Sequence, residues 1–374
     1  MKLKGGFMPN TGVVVTQSTA EDLSLTRTLP IAVVGTCSTG TLADSTPTLI
    51  ESKADATTIL GAGSGSDTLP NAVAVLQRYG CGKIIALKGD SGAATPAEGV
   101  TGAIPLLGNT LSTLGIEPEI ILTPTFNDAT VVTALKTLCD SIHALALISP
   151  SAATTIADVI TARGTSTGVG IKDPRIVVCY PYMKNADTPT DLEELTLHLA
   201  GVLANLDNYG QSPLNQPLLG VDSPEISMTL SYSSDTSDNE QLNDNGVTTI
   251  NLDPDADYVI WGGRNSDYQE NETDVLTFIN AVRARDKITE LTRARAIKML
   301  GQNSNYTTAS LLTESYRTML NDQISLGAIK SFTKVAINDS KTDYSQFKIY
   351  HDIEFQPWTP TEFIGASVAM TVNN

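Results

Sequence analysis

The sequence predicts an α/β fold: a layered α/β core with a mainly parallel sheet, followed by a C-terminal α+β domain. Three observations carry this. Short apolar runs alternate with helix-period segments from Pro30 to Leu206. Clusters of Gly, Pro, Asn and Ser separate them. After residue 270 the order changes to two long helical stretches and then strand-like runs of period-two alternation. Strands between helices are buried on both faces and read as continuous apolar runs, whereas half-buried antiparallel strands alternate.

Taken in order, residues 1–25 read as an arm. A Gly/Pro-rich start leads into Gly12–Thr16 (GVVVT), a β-branched run isolated by polar neighbours. Such a run cannot bury itself locally and must pair with an edge, in its own fold or on a neighbour. Pro30–Thr36 is a buried strand, Leu69–Tyr79 a helix with Leu69, Ala72, Val73 and Leu76 on one face, and Lys83–Lys88 the next strand. The same alternation gives strands at 119–122, 143–149 and 175–180, and helices at 128–141, 152–162 and 191–206. Asp207–Gly220 is a Pro/Gly/Asn-rich loop, Ser231–Asn245 an exposed acidic loop, and Asp257–Gly262 a strand. Helices are expected over about 273–300 and 307–325. In the first, Val275, Phe278, Ile279 and Val282 oppose Ile288 and Leu291, so it breaks near 284–287 or is buried on two sides. Gln346–Phe355 alternates, with Phe347, Ile349, Ile353 and Phe355 on one face; Ile364 to Val372 alternates again.

Charge and composition exclude several function classes. The 374 residues carry a formal charge of −17, which argues against sequence-independent nucleic-acid binding. Residues 1–264 hold 13 Lys/Arg against 28 Asp/Glu, and residues 265–374 hold 11 against 13, so the acidity lies upstream. The N-terminus lacks the apolar stretch of a signal peptide, and no run approaches a membrane span; no direct membrane insertion is expected. The four cysteines, Cys37, Cys81, Cys139 and Cys179, have no metal or redox spacing. Nor do His143, His198 and His351, which read as hydrogen-bonded structural residues. Gly61–Ser66 (GAGSGS) lacks the dinucleotide spacing and a following Gly-Lys-Ser/Thr, so it reads as a turn. Asp253, Asp255 and Asp257 lack an EF-hand's Gly and terminal Glu and read as a solvated turn. No catalytic, cofactor-binding or metal residue is expected, and an enzyme is not.

One cluster does stand out. Arg283, Arg285, Lys287, Arg293, Arg295 and Lys298 place 6 of the 24 basic residues in a 16-residue span. This is either a solvated helix face paired with residues such as Asp286 and Glu290, or a docking surface for an acidic partner.

Several segments, in order, resemble the tail sheath proteins of contractile bacteriophage tails and phage-tail-like bacteriocins. They are PNTGVVVTQ, PIAVVGTCSTG, PTLIESKADATTILG, LPNAVAVLQRYGCGKIIALK, IEPEIILTPTF, NYGQSPLNQPLLGV, LNDNGVTTINLDPDADYVIWGGRN and QPWTPTEFI. The chain departs from the family's Arg-Arg pair, having Arg283-Ala-Arg285, and from its Glu-Pro-Asn motif, having GQNSNYT.

The resemblance implies five parts: an N-terminal extended arm (1–25), a first α/β subdomain (26–115), a central α/β core (116–265), a C-terminal helix/sheet domain (266–360) and a C-terminal strand or arm (361–374). It implies stacked hexameric rings around an inner tail tube, and contraction that drives the tube through a target envelope. Neighbours' arms would complete each C-terminal sheet through Val13, Val14, Val15, Ile364, Ala366, Val368, Met370 and Val372. The implied partners are further copies of the chain, the inner tube protein, and baseplate and tail terminator proteins; the implied location is a virion tail or tail-like particle assembled in a bacterial cytoplasm. The basic cluster and Arg317 are the candidate tube contacts. The competing readings are a non-contracting structural tail protein and a soluble α/β enzyme or ligand-binding protein.

Overall fold

The computed structural model describes residues 29–150, 155–164 (backbone only at 162–164), 172–255, 257–268, 271–362 and 364. Its strands are β1 (Ile31–Gly35), β2 (Thr48–Ile50), β3 (Ile84–Lys88), β4 (Ile120–Leu122), β5 (Leu145–Ile148), β6 (Ile176–Cys179), β7 (Tyr182–Asn185), β8 (Leu192–Glu194), β9 (Val221–Pro224), β10 (Val247–Leu252), β11 (Tyr258–Trp261), β12 (Ser331–Ile337) and β13 (His351–Gln356). Its α-helices are α1 (Lys53–Leu60), α2 (Thr68–Arg78), α3 (Pro96–Ala103), α4 (Thr110–Leu114), α5 (Ala129–Ile142), α6 (Ile156–Gly164), α7 (Leu195–Asn205), α8 (Asp238–Asp244), α9 (Ile279–Met299) and α10 (Tyr306–Ser325).

Eight strands form one sheet in the order β11-β10-β6-β5-β4-β1-β3-β2. Its six inner strands pair in parallel, and β2 and β11 close the edges antiparallel. The apolar runs explain this, since every residue of β1, β4, β5 and β6 is buried. One face packs on α2 and α7 through Leu69, Leu76, Leu199 and Leu203. The other packs on α3 and α5 through Val100, Val131 and Leu135. The sheet runs through the expected boundary at 115, because β1 sits between β3 and β4.

Beyond this core, α9, α10 and the β12–β13 hairpin share a third cluster built on Ile288, Tyr316, Met319, Leu320 and Val335. Helix α9 joins the two parts. Ile279 and Val282 belong to the core cluster, while Ala284 and Ile288 belong to the C-terminal one. The helix is continuous and buried on two sides, which explains its split apolar pattern.

Four segments differ from the sequence-based expectation. The first is the helix expected from 273, where a separate 3₁₀ turn at Val275–Thr277 precedes α9 and the helix starts only at Ile279. The expected helix from 191 begins at Leu195, because Leu192–Glu194 pairs with β7 instead. Residues 195–204 of α7 are buried all round. The acidic stretch 231–245 contains α8. The alternation from Gln346 becomes a strand only at His351: Asp343 Oδ1 accepts from the Ser345 and Gln346 N–H groups, and Phe347 sits next in the chain at φ 58°, so a turn wins there. Phe347 is consequently 84% exposed.

Candidate assembly surfaces

The hairpin β12–β13 is a two-stranded sheet, and its outer edges have no strand partner among the described residues. Alternation, with a bulge between Phe332 and Lys334 that shifts the register, puts Phe332, Val335, Ile353 and Phe355 against the helices. It leaves Lys334, Asp352 and Glu354 on the open face, where Lys334 Nζ lies 2.8 Å from Asp352 and 3.8 Å from Glu354. A two-stranded sheet is marginal alone and gains from added strands. Of the residues expected to supply or receive such pairing, Val13, Val14, Val15, Ala366, Val368, Met370 and Val372 lie outside the described residues. Ile364 is described and is 84% exposed.

The basic cluster divides along α9. Arg283 points inward, with Nε and Nη1 sealed from solvent and without a hydrogen-bond partner among the described residues. Burial lowers its pKa, against a pull from Glu119. Lys287 Nζ reaches Glu119 at 3.5 Å and Glu290 at 2.7 Å. Arg285 Nε lies 3.5 Å from Asp286. Asp286 turns toward Arg175, which it grips through both oxygens at 2.7 and 3.0 Å. Arg175 in turn donates to the Ala144 carbonyl and lies 3.3 Å from Asp140. Glu119, Asp140 and Arg175 all stand near the amino ends of β4, β5 and β6. The first half of α9 is therefore an ionic seat on the core, while Arg293 and Lys298 are exposed and Arg295 half-buried. Arg317, on α10, is exposed; it pairs with Glu314 at 2.6 Å and donates to the Val335 carbonyl.

The segment after β13 turns back toward the core. Asn280, 1% exposed, donates to the Gly210 and Trp358 carbonyls at 2.9 and 2.8 Å. Arg264 donates to Glu362 from Nε at 2.8 Å and from Nη2 at 2.5 Å. Its guanidinium carbon lies 4.1 Å from the ring centroids of both Tyr268 and Phe278. Sequence reasoning did not find this contact, since 98 residues separate the pair. The segments WGGRN and PTEF stood out in the sequence only as family-like stretches.

The other polar candidates of the sequence have local partners. Asp67 accepts from Ser38 and Ser64 and ties the GAGSGS turn to the segment after β1. Asp253 Oδ1 accepts from the Asp255 and Asp257 N–H groups, an Asx turn. His351 Nε2 lies 3.0 Å from the Ala309 carbonyl, His143 Nδ1 3.2 Å from Arg175, and His198 Nδ1 3.0 Å from the Tyr79 hydroxyl. All four cysteines are buried and free of disulfides. No His/Cys/Asp/Glu group among the described residues has metal-binding geometry.

The competing ligand reading looks to the carboxyl edge of the sheet. There Ser149 Oγ donates to the Cys179 carbonyl, Thr123 Oγ1 to the Phe126 carbonyl and Tyr182 to Glu194. Two hollows of about 280 and 400 Å³ lie elsewhere, beside Asn205–Gln216 and, for the smaller, under Trp358–Pro360.

Residues 108–266 match the model of the phage tail sheath protein central domain. The tail sheath protein of Burkholderia phage BcepMu is 28% identical over 209 residues, 54% of this chain. The chain spans 44% of that relative's length. Among solved structures, the sheath complex of an extracellular contractile injection system (PVC) in its contracted state superposes with a TM-score of 0.72 at 17% identity, covering 98% of this chain and 99% of that one. A chain of the anti-feeding prophage baseplate gives 0.71 at 18% identity, covering 98% and 100%. At these identities the structural likeness establishes the shared fold.

Proposed function

We propose, from the match of residues 108–266 to the phage tail sheath protein central domain, that the chain is a structural subunit of a contractile tail sheath. It polymerises as stacked hexameric rings around an inner tube, and contraction drives the tube through a target envelope. The observation that carries this reading is the incomplete C-terminal sheet: β12–β13 packs its apolar face on α9 and α10 while both outer edges stay open among the described residues. An open edge supplies main-chain donors and acceptors to an incoming strand. Segments 12–16 and 364–372 have the alternating or β-branched character of such strands. Each added hydrogen bond contributes about 0.5–1.5 kcal/mol net, so a mesh of them holds subunits together while they slide.

The five-part division at 25, 115, 265 and 360 is retained as a division of roles: an arm at each end, two α/β parts on either side of 115 that share one sheet and together form an outer body, and a C-terminal domain toward the tube. Tube contact is assigned to Arg293, Arg295 and Lys298, with Arg317 as the alternative on α10, and with Arg283, Arg285 and Lys287 also serving as the seat of α9. The partners are further copies, an inner tube protein, and baseplate and terminator proteins; assembly takes place in a bacterial cytoplasm. The role is structural, with no catalytic step.

Negative-stain electron microscopy of the full chain and of a chain lacking residues 1–20, each with and without inner tubes, tests this. Ordered sheaths from the full chain, lost on truncation, are expected. Discrete particles under all four conditions would refute it.

A further inference from the structure

We propose that Arg264 and Glu362 form the root clamp of the C-terminal arm, fixing the point on the α/β core from which the chain departs toward a second copy of itself. This rests on the assembly reading above and adds to it the residues that position the arm.

The path of the chain is the first ground. Strand β13 ends in the C-terminal sheet, where the Gln356 carbonyl accepts from the Lys330 N–H at 2.9 Å. Six residues later the chain has reached Arg264, three residues past β11 of the core sheet. Six extended residues span at most about 20 Å. The segment is pinned midway by Asn280, whose two N–H groups hold the Gly210 and Trp358 carbonyls. Asn280 is buried, so water does not compete for these bonds.

The socket is the second. Arg264 is held independently of Glu362: Tyr268 and Phe278 each lie 4.1 Å from its guanidinium carbon, and Nη1 donates to Thr277 Oγ1 at 2.9 Å. The planar fork is thus oriented in advance for a carboxylate, which little besides arginine achieves. The arginine side chain is 11% exposed and that of Glu362 39%, so the fixed half is buried and the tail supplies the half that docks.

The chain just past the clamp is the third. Ile364, two residues on, is 84% exposed. An apolar side chain bared beside a fixed point, at the head of the alternating run Ile364 to Val372, is suited to pair with a second copy.

The test uses the full chain and two variants. Glu362→Gln keeps the shape but loses the charge; Arg264→Lys keeps the charge but loses the fork and the stacking plane. Both are expected to melt within about 4 °C of wild type. Amide exchange over residues 358–362 is expected to quicken about three- to tenfold, the solvent exposure of Glu362 keeping the effect modest. Sheath formation on inner tubes is expected to need several-fold more protein. Unchanged exchange in both variants overturns the clamp. Quickened exchange with unchanged sheath formation overturns its role in assembly. A wild-type chain that forms no sheath on tubes sinks the assembly reading and the arm's destination with it, and the exchange data still decide the clamp separately.

Discussion

Glu193 and Glu194 are neighbours on β8 whose carboxyls are shifted in opposite directions, because successive strand residues face opposite sides. Glu193 faces Arg78, whose Nη2 and Nη1 each donate to it at 2.9 Å, and Asn185. Burial works to raise its pKa, but the close approach of His198 and the bonds from Arg78 and Asn185 outweigh this and hold it at about 2. Glu194 is fully buried, and burial pushes its pKa up despite bonds from Thr125, Thr196 and Tyr182. His198, also fully buried, has Nδ1 3.0 Å from the Tyr79 hydroxyl, which accepts from the Leu219 N–H. Its Nε2 lies 3.1 Å from Glu193, off the line of a good hydrogen bond. Burial lowers the His198 pKa, Glu193 pulls it up and Arg78 opposes that pull. A depressed folded pKa means the neutral imidazole favours the fold above the ordinary value near 6.5, and this contribution is lost as pH falls through the folded value. Unfolding free energy is therefore expected to drop below about pH 6.5 with a slope of up to ~1.4 kcal/mol per pH unit. His198→Gln should flatten that slope in urea titrations from pH 7 to 5; an identical slope would refute the assignment. The sequence showed a histidine in mid-helix but not its partners, since Tyr79 is 119 residues away.

At the scale of elements, α9 connects core and C-terminal domain through charge as well as apolar contact. Its Asp286 side chain is 14% exposed and satisfies Arg175, itself 7% exposed. Removing Asp286 leaves the buried Arg175 with the Ala144 carbonyl, His143 and the more exposed Asp140, so the cost falls below the roughly 3–5 kcal/mol of a fully broken buried pair. Asp286→Asn retains shape and some hydrogen bonding, so a loss of roughly 2–3 kcal/mol is expected in urea unfolding. A loss below about 0.5 kcal/mol would mark the pair as dispensable. Helix α9 was legible as two opposed apolar faces, and the structure gives each face its own cluster. The start of β8 and the turn before β13 were not legible. Both have helix- or strand-like periodicity that tertiary pairing, or an aspartate accepting two backbone N–H groups, overrides.

For the whole molecule, the charge division along α9 has a consequence for docking. Reversing Arg293, Arg295 and Lys298 to Glu removes charges that are exposed or half-buried, so the monomer should melt normally while co-sedimentation with tubes falls about tenfold at low salt and less at high salt. Undiminished co-sedimentation would remove these residues from the tube interface. The sequence by itself determined the layered α/β core and the change of architecture after residue 270, because burial on both faces demands continuous apolar runs and half-burial demands alternation. Those are local signals, written in spacing. Only the tertiary structure decided that β1 lies between β3 and β4, that half of the basic cluster seats α9, and that Glu362 returns to Arg264 across 98 residues. Such pairings depend on which surfaces meet once the chain is compact, and charge and spacing along the chain do not encode where a distant partner will stand.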